Sequence, residues 1–144
     1  MDKTLRIVLD TNALLMSLPR KSPYRPIFDA FLSGKILLLI DNGILSEYLE
    51  ILEERTDSIV AQNIAELLIN STNVIRVNVN IKWLLINNDP DDDKFVDCAV
   101  AGSADYLVTN DKHFNVLKAL DFPPVPLISV DAFLKVVTLL FSST

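Results

Sequence analysis

The chain is poor in the residues that build cross-linked or glycine-rich scaffolds: its 144 residues include one cysteine, three glycines and one tryptophan. The lone Cys98 has no partner in the chain, which excludes a disulfide framework and points to a reduced, cytoplasmic setting. Few glycines beside an apolar share of 50% exclude a disordered chain and allow a large buried core. Long apolar runs are missing too. Leu5 to Leu9 is broken by Arg6 and is too short for a signal-peptide core. Phe133 to Phe141 carries Lys135 and falls well below the roughly 20 apolar residues of a membrane span. No repeat, low-complexity stretch or linker breaks the pattern, so a single domain over residues 1–144 and no membrane partner are expected.

Positive charge is also scarce. The 13 Lys and Arg stand against 19 Asp and Glu, a net charge of −6 that by itself counts against a nucleic-acid partner. The placement of the charges matters more than their sum. Asp89, Asp91, Asp92, Asp93 and Asp97 crowd into one stretch, and Arg20, Lys21 and Arg25 gather in another. A divalent cation among the acids would reverse the local field.

What is present is an alternation of strand and helix signals. Leu5 to Leu9 reads as a buried strand ending at Asp10, followed by a Pro-rich and basic loop, Pro19 to Pro26. A short helix is predicted from Pro26 to Leu32, closed by Gly34, and Ile36 to Ile40 is a second buried strand. Ile44 to Arg55 has apolar residues at three- and four-residue steps with Glu between them, the pattern of an amphipathic helix. A further helix starts at the Thr56-Asp57 cap and reaches Asn70, and Val74 to Val77 is a third strand. Asn80 to Asn88 suits either a helix or an edge element. Asp89-Pro90 marks a turn, and Asp91-Asp92-Asp93 lead a helix to Gly102. Tyr106 to Thr109 is the fourth strand, His113 to Leu120 a short helix, Val125 to Ile128 the last strand, and Ser129 caps a C-terminal helix. The pattern implies a three-layer α/β/α fold with a central parallel sheet of about five strands.

In such a sheet the strand-to-helix loops share the carboxyl edge, where ligands bind. Asp10, Glu47, Asp92 or Asp93, and Asp111 all map to that edge. Each alone is an ordinary cap, turn or solvated helix residue. Together they repel unless protons or a cation intervene, and a hard ion, Mg²⁺ or Mn²⁺, suits such oxygen ligands. With no His, Cys or Lys expected beside them, the metal carries the chemistry, which points to hydrolysis of a phosphate ester. His113 is expected only to cap or line its short helix. The basic loop of Arg20, Lys21 and Arg25 is expected at the same edge, as a solvated loop or as a grip on a nucleic-acid backbone.

Four segments resemble one known family. Val8-Leu9-Asp10-Thr11-Asn12-Ala13-Leu14-Leu15 is similar to the opening strand of PIN domains, and Ser46-Glu47-Tyr48-Leu49-Glu50-Ile51-Leu52 to the helix of their second acid. Asp89-Pro90-Asp91-Asp92-Asp93-Lys94-Phe95 resembles the third acidic signature of a bacterial branch, and Ala104 to Phe114 the strand and turn of the last acid. The likeness covers residues 5 to 130 or so, and the four motifs in order are what make it specific. The branch most resembled comprises VapC-like toxin components of type II toxin–antitoxin systems, whose PIN members cleave RNA.

The resemblance implies a Mg²⁺- or Mn²⁺-dependent ribonuclease with Asp10, Glu47, Asp92 and Asp111 in the active site and as metal ligands. It implies support by hydrogen bonds from Asn12 and Thr109, and an antitoxin partner. Asp92 is favoured as the third acid because it aligns best with Phe95 and Ala99. Asp93, one helical turn before Asp97, stays open as the alternative, and both Asp93 and Asp97 stand as alternative or supporting acids. The chain departs from many members at Asn110, where they have Gly. One or two ions are compatible with the acids. The C-terminal helix is more apolar than one buried face needs, which fits a homodimer or antitoxin contact.

Two rivals share parts of the pattern. A haloacid-dehalogenase-type phosphatase needs a second carboxylate two residues after the first, and this chain has Asn12 there. A non-catalytic interaction module of the same fold has no use for four clustered acids, which cost stability.

Overall fold

The computed structural model describes residues 4–86 and 90–141. Its elements run β1 (Leu5–Leu9), α1 (Thr11–Ser17), α2 (Arg25–Leu32), β2 (Ile36–Ile40), α3 (Asn42–Arg55), α4 (Ser58–Asn70), β3 (Val74–Arg76), α5 (Pro90–Ala101) and β4 (Tyr106–Val108). A 3-10 helix (Lys112–Ala119), β5 (Leu127–Ile128) and α6 (Val130–Phe141) complete the order. The expected Asp89-Pro90 turn includes Asp89, which lies outside the described residues.

The five strands form one parallel sheet in the order β3-β2-β1-β4-β5. Ile7, Val8 and Leu9 are buried in succession, as are Leu38, Leu39 and Ile40. Consecutive residues of a strand face opposite ways, so such runs require cover on both faces of the sheet, as the three-layer α/β/α class demands. α5 packs against β1, β2 and β4, while α2 packs against β2 and α6. Phe95, Phe133, Phe114 and Tyr48 are the bulkiest fully buried side chains around this sheet.

Carboxylates begin several helices. Asp10, Asp41 and Asp57 cap α1, α3 and α4, each accepting the N–H three residues on, and Asp111 caps the 3-10 helix. Such caps satisfy donors that have no partner inside the helix. Gly34 ends α2 with φ +80°, a conformation that a Cβ disfavours.

Two segments differ from the sequence expectation. Thr11 to Ser17 is helical, where the sequence pattern shows only a strand followed by a loop. Residues 77–86 form neither helix nor strand. Buried carboxylates of α5 hold that segment instead: Trp83 N–H donates to Asp97 at 3.0 Å and Ile86 N–H to Asp93 at 2.9 Å.

Candidate active site

The strand order fixes where a site belongs. From β1 the chain steps outward through β2 and β3, then returns to lay β4 on the other side of β1. The carboxyl ends of β1 and β4 therefore flank the switch point of the topology, the crevice where open α/β sheets bind ligands. Asp10 follows β1 there, and Thr109, Asn110 and Asp111 follow β4.

Asp10 is 6% exposed and uses both carboxylate oxygens. Ala13 N–H donates to Oδ1 at 2.7 Å, and the Thr109 hydroxyl donates to Oδ2. Thr109 Oγ1 also accepts Asp111 N–H at 3.0 Å, so one hydroxyl ties the ends of two neighbouring strands together. Burial pushes the Asp10 carboxyl above its ordinary pKa; the hydrogen bonds from Thr109 and Ala13 oppose this, and the charges of Asp111 and Glu47 add to it. Asp10 and Asp111 line a cavity of about 190 Å³ with Asn12, Asn110, Met16 and Val130. Asn12 is exposed, and Asn110 Oδ1 accepts Val130 N–H at 2.9 Å, joining this loop to the start of α6.

The other acids arrive from α3 and α5. Tyr48 is fully buried and its hydroxyl donates to the Leu9 carbonyl, which fixes α3 against the end of β1. Its neighbour Glu47 receives the Thr11 hydroxyl on Oε2 and Lys94 Nζ, at 2.7 Å, on Oε1. Asp92, in the first turn of α5, faces the β4 side, where His113 Nδ1 lies 3.6 Å from its Oδ2 and 3.5 Å from Asp111 Oδ1. Ligand atoms of Asp92, Asp111 and His113 all lie within 4.8 Å of one another.

Asp92 and Asp111 thus meet with His113 at the switch point, and the buried Asp10 stands beside Asp111, whose charge, with that of Glu47, acts on it. Asp93 and Asp97, the alternative or supporting acids, are buried and accept backbone N–H groups of residues 77–86. Burial also raises the Asp97 carboxyl above its ordinary pKa. In the basic loop, the Arg25 guanidinium is held by Asp29 at 2.9 Å and by the Leu18 carbonyl, while Arg20 and Lys21 are exposed. Tyr24 of this loop donates to Asp131 at 2.7 Å, in the first turn of α6.

The expectation that no His or Lys stands beside the acids is corrected. His113 faces two of them and Lys94 pairs with a third. Both residues stand inside the acidic motifs, Lys94 two after Asp92 and His113 two after Asp111, but spacing alone does not tell which side of a helix start meets which neighbour. Thr11 was hidden in the same way, as the residue after Asp10.

The carboxylate oxygens of this group suit a hard divalent cation, and Asp10 carries a charge that its surroundings disfavour.

A sequence-family profile described as PIN domain matches residues 6–113. Among solved structures, the chain resembles VapBC2 from Rickettsia felis bound to a DNA fragment from their promoter, with TM-score 0.58 and 16% identity over 87% of this chain and 98% of that one. It also resembles FitAB bound to an IR36 DNA fragment, with TM-score 0.55 and 14% identity over 86% and 94% of the two chains. The PIN domain endonuclease Utp24 aligns with TM-score 0.50 and 20% identity over 86% and 84%. No curated protein matches the sequence.

Proposed function

The chain belongs to the PIN-domain family, and from that premise we propose that it is a Mg²⁺- or Mn²⁺-dependent endoribonuclease, the toxin of a toxin–antitoxin pair acting in the cytoplasm. The observation that carries this is the convergence of Asp92, Asp111 and His113 beside the buried Asp10 at the switch point of the sheet.

Asp10, Asp92 and Asp111 would hold the ion, with Glu47 at its side. The bound ion supplies Lewis acidity toward a phosphoryl oxygen and toward water. The chain's own residues set the stage for in-line hydrolysis of a phosphodiester. Thr109 orients Asp10 and the turn that presents Asp111. Asn12 stands at the cavity wall as a hydrogen-bonding group for substrate. Arg20 and Lys21 remain available to the RNA backbone, whereas Arg25, the first residue of α2, is occupied by Asp29 and the Leu18 carbonyl.

The resemblance to toxin components, together with the fold shared with VapBC2 and FitAB, supports a cognate antitoxin. Leu139 and Leu140 are exposed on α6, a surface that suits this partner or a second copy of the chain.

Cleavage of single-stranded RNA with Mn²⁺ tests the assignment. Asp10→Asn is expected to lower the rate at least ~100-fold, because the ion loses a ligand while the fold keeps its helix cap. Equal activity of the variant and the parent would sink the assignment. An inert parent that also takes up no Mn²⁺ would leave a binding module in its place.

A further inference from the structure

Glu47 differs from the other acids in what already surrounds it. Its two oxygens receive an ammonium and a hydroxyl from this chain, Lys94 Nζ at 2.7 Å and Thr11 Oγ1. The pair is partly shielded, with side chains 20% and 25% exposed, so water and salt screen it less than a surface pair. Lys94 sits two residues after Asp92 on α5 and turns toward α3, while Asp92 turns toward His113 and Asp111. The start of α5 therefore delivers a carboxylate to one side of the crevice and a fixed positive charge to the other.

We propose that Lys94 is the built-in counter-charge of this centre: it holds Glu47 in a neutral pair, so that a single divalent ion is taken by Asp10, Asp92 and Asp111. This rests on the metal-dependent reading above and assigns the charge balance within it. A second divalent ion on Glu47 would have to approach an ammonium already bound to the same carboxylate, and like charges at such range oppose each other. Lys94 and Thr11 are then positioning residues. They fix the Glu47 carboxylate and set the charge that the ion experiences, without being ligands themselves.

The consequence is a pair of opposite signs. Removing the lysine charge with Lys94→Met leaves Glu47 uncompensated and is expected to tighten Mn²⁺ binding about tenfold, the order of one unit charge nearby in a partly screened site. Removing the carboxylate charge with Glu47→Gln leaves the ammonium uncompensated and is expected to weaken binding by about the same factor. The double variant is expected to return to the parent affinity, and Lys94→Arg to keep it. Affinity and stoichiometry are read from the free-ion signal of Mn²⁺ in electron paramagnetic resonance, with circular dichroism confirming that each variant is folded. Lys94→Gln replaces Lys94→Met if the latter does not fold.

One ion per parent chain with this sign reversal supports the proposal. Two ions per parent chain, or weakening by both single variants as direct ligands or a merely structural role would give, overturns it. In either of those cases, loss of Mn²⁺ in Asp10→Asn would leave the metal-dependent reading standing. A parent that binds no Mn²⁺ removes both.

Discussion

Asp10 shows how one side chain carries both an ordinary and a functional role. Through Oδ1 it caps α1, a role open to any strand-ending Asp, and through Oδ2 it receives Thr109. Its raised pKa makes the charged form a burden on the fold in the absence of a cation. Because the folded value lies above the unfolded one, the contribution of this carboxyl to stability is full below the unfolded pKa. It is lost as pH rises through the raised folded value. Asp10→Asn keeps the cap and removes the burden. In EDTA at pH 8 it is expected to melt on the order of 3 °C higher than the parent, with the gap closing toward pH 4. A lower melting temperature for the variant at pH 8 would show that burial and its acidic neighbours do not disfavour the charge. Stabilisation by Mn²⁺, expected for the parent, should vanish in the same variant.

At the scale of elements, α5 does the most to assemble the site, and its fit depends on its far end. A Cβ built on Gly102 would stand 2.8 Å from Leu39 Cδ1, 3.0 Å from the Cys98 carbonyl oxygen and 3.0 Å from Val77 Cγ2. The Gly102 carbonyl in turn accepts Arg6 Nε at 3.0 Å and Nη2 at 2.8 Å, which explains a charged residue inside β1. Gly102→Ala is expected to destabilise the fold by about 1–3 kcal/mol in urea denaturation, since the α5 backbone and the side chains of Leu39 and Val77 must yield. An unchanged midpoint would mean that the end of α5 adjusts freely. The helix α1 was legible only in part: Asp10 is a cap signal, but the sequence pattern assigns the seven residues between the first strand and the Pro-rich loop to no element. Asn80 to Asn88 suits either a helix or an edge element in sequence; its described part, residues 80–86, is neither, because Asp93 and Asp97 rather than a hydrophobic face of its own hold it.

The whole molecule offers its own reporter in Cys98. It is buried in α5, and burial pushes its thiol up to about 12, so at pH 8 almost none of it is thiolate. We propose that residues 1–144 unfold as one unit. Alkylation of Cys98 is then expected only when the whole chain opens, with a denaturant midpoint that coincides with loss of far-ultraviolet circular dichroism. Modification well before that loss would reveal a separately opening part.

Local chemistry determined much of this protein. The apolar runs of β1 and β2, the capping aspartates and the helical spacing of α3 are decided by residues close in the chain, and so were readable from it. The parallel sheet and the convergence of Asp10 and Asp111 followed from alternating elements and the rule that their loops share one edge. Only the tertiary structure decided among neighbours on α5: Asp92 faces His113 and Asp111, Asp93 and Asp97 bind backbone, and Lys94 meets Glu47. The physical reason is that each residue of a helix turns about 100° from the last. The adjacent Asp92, Asp93 and Lys94 therefore point to three different surroundings, supplied by segments from 7 to 47 residues away in the chain.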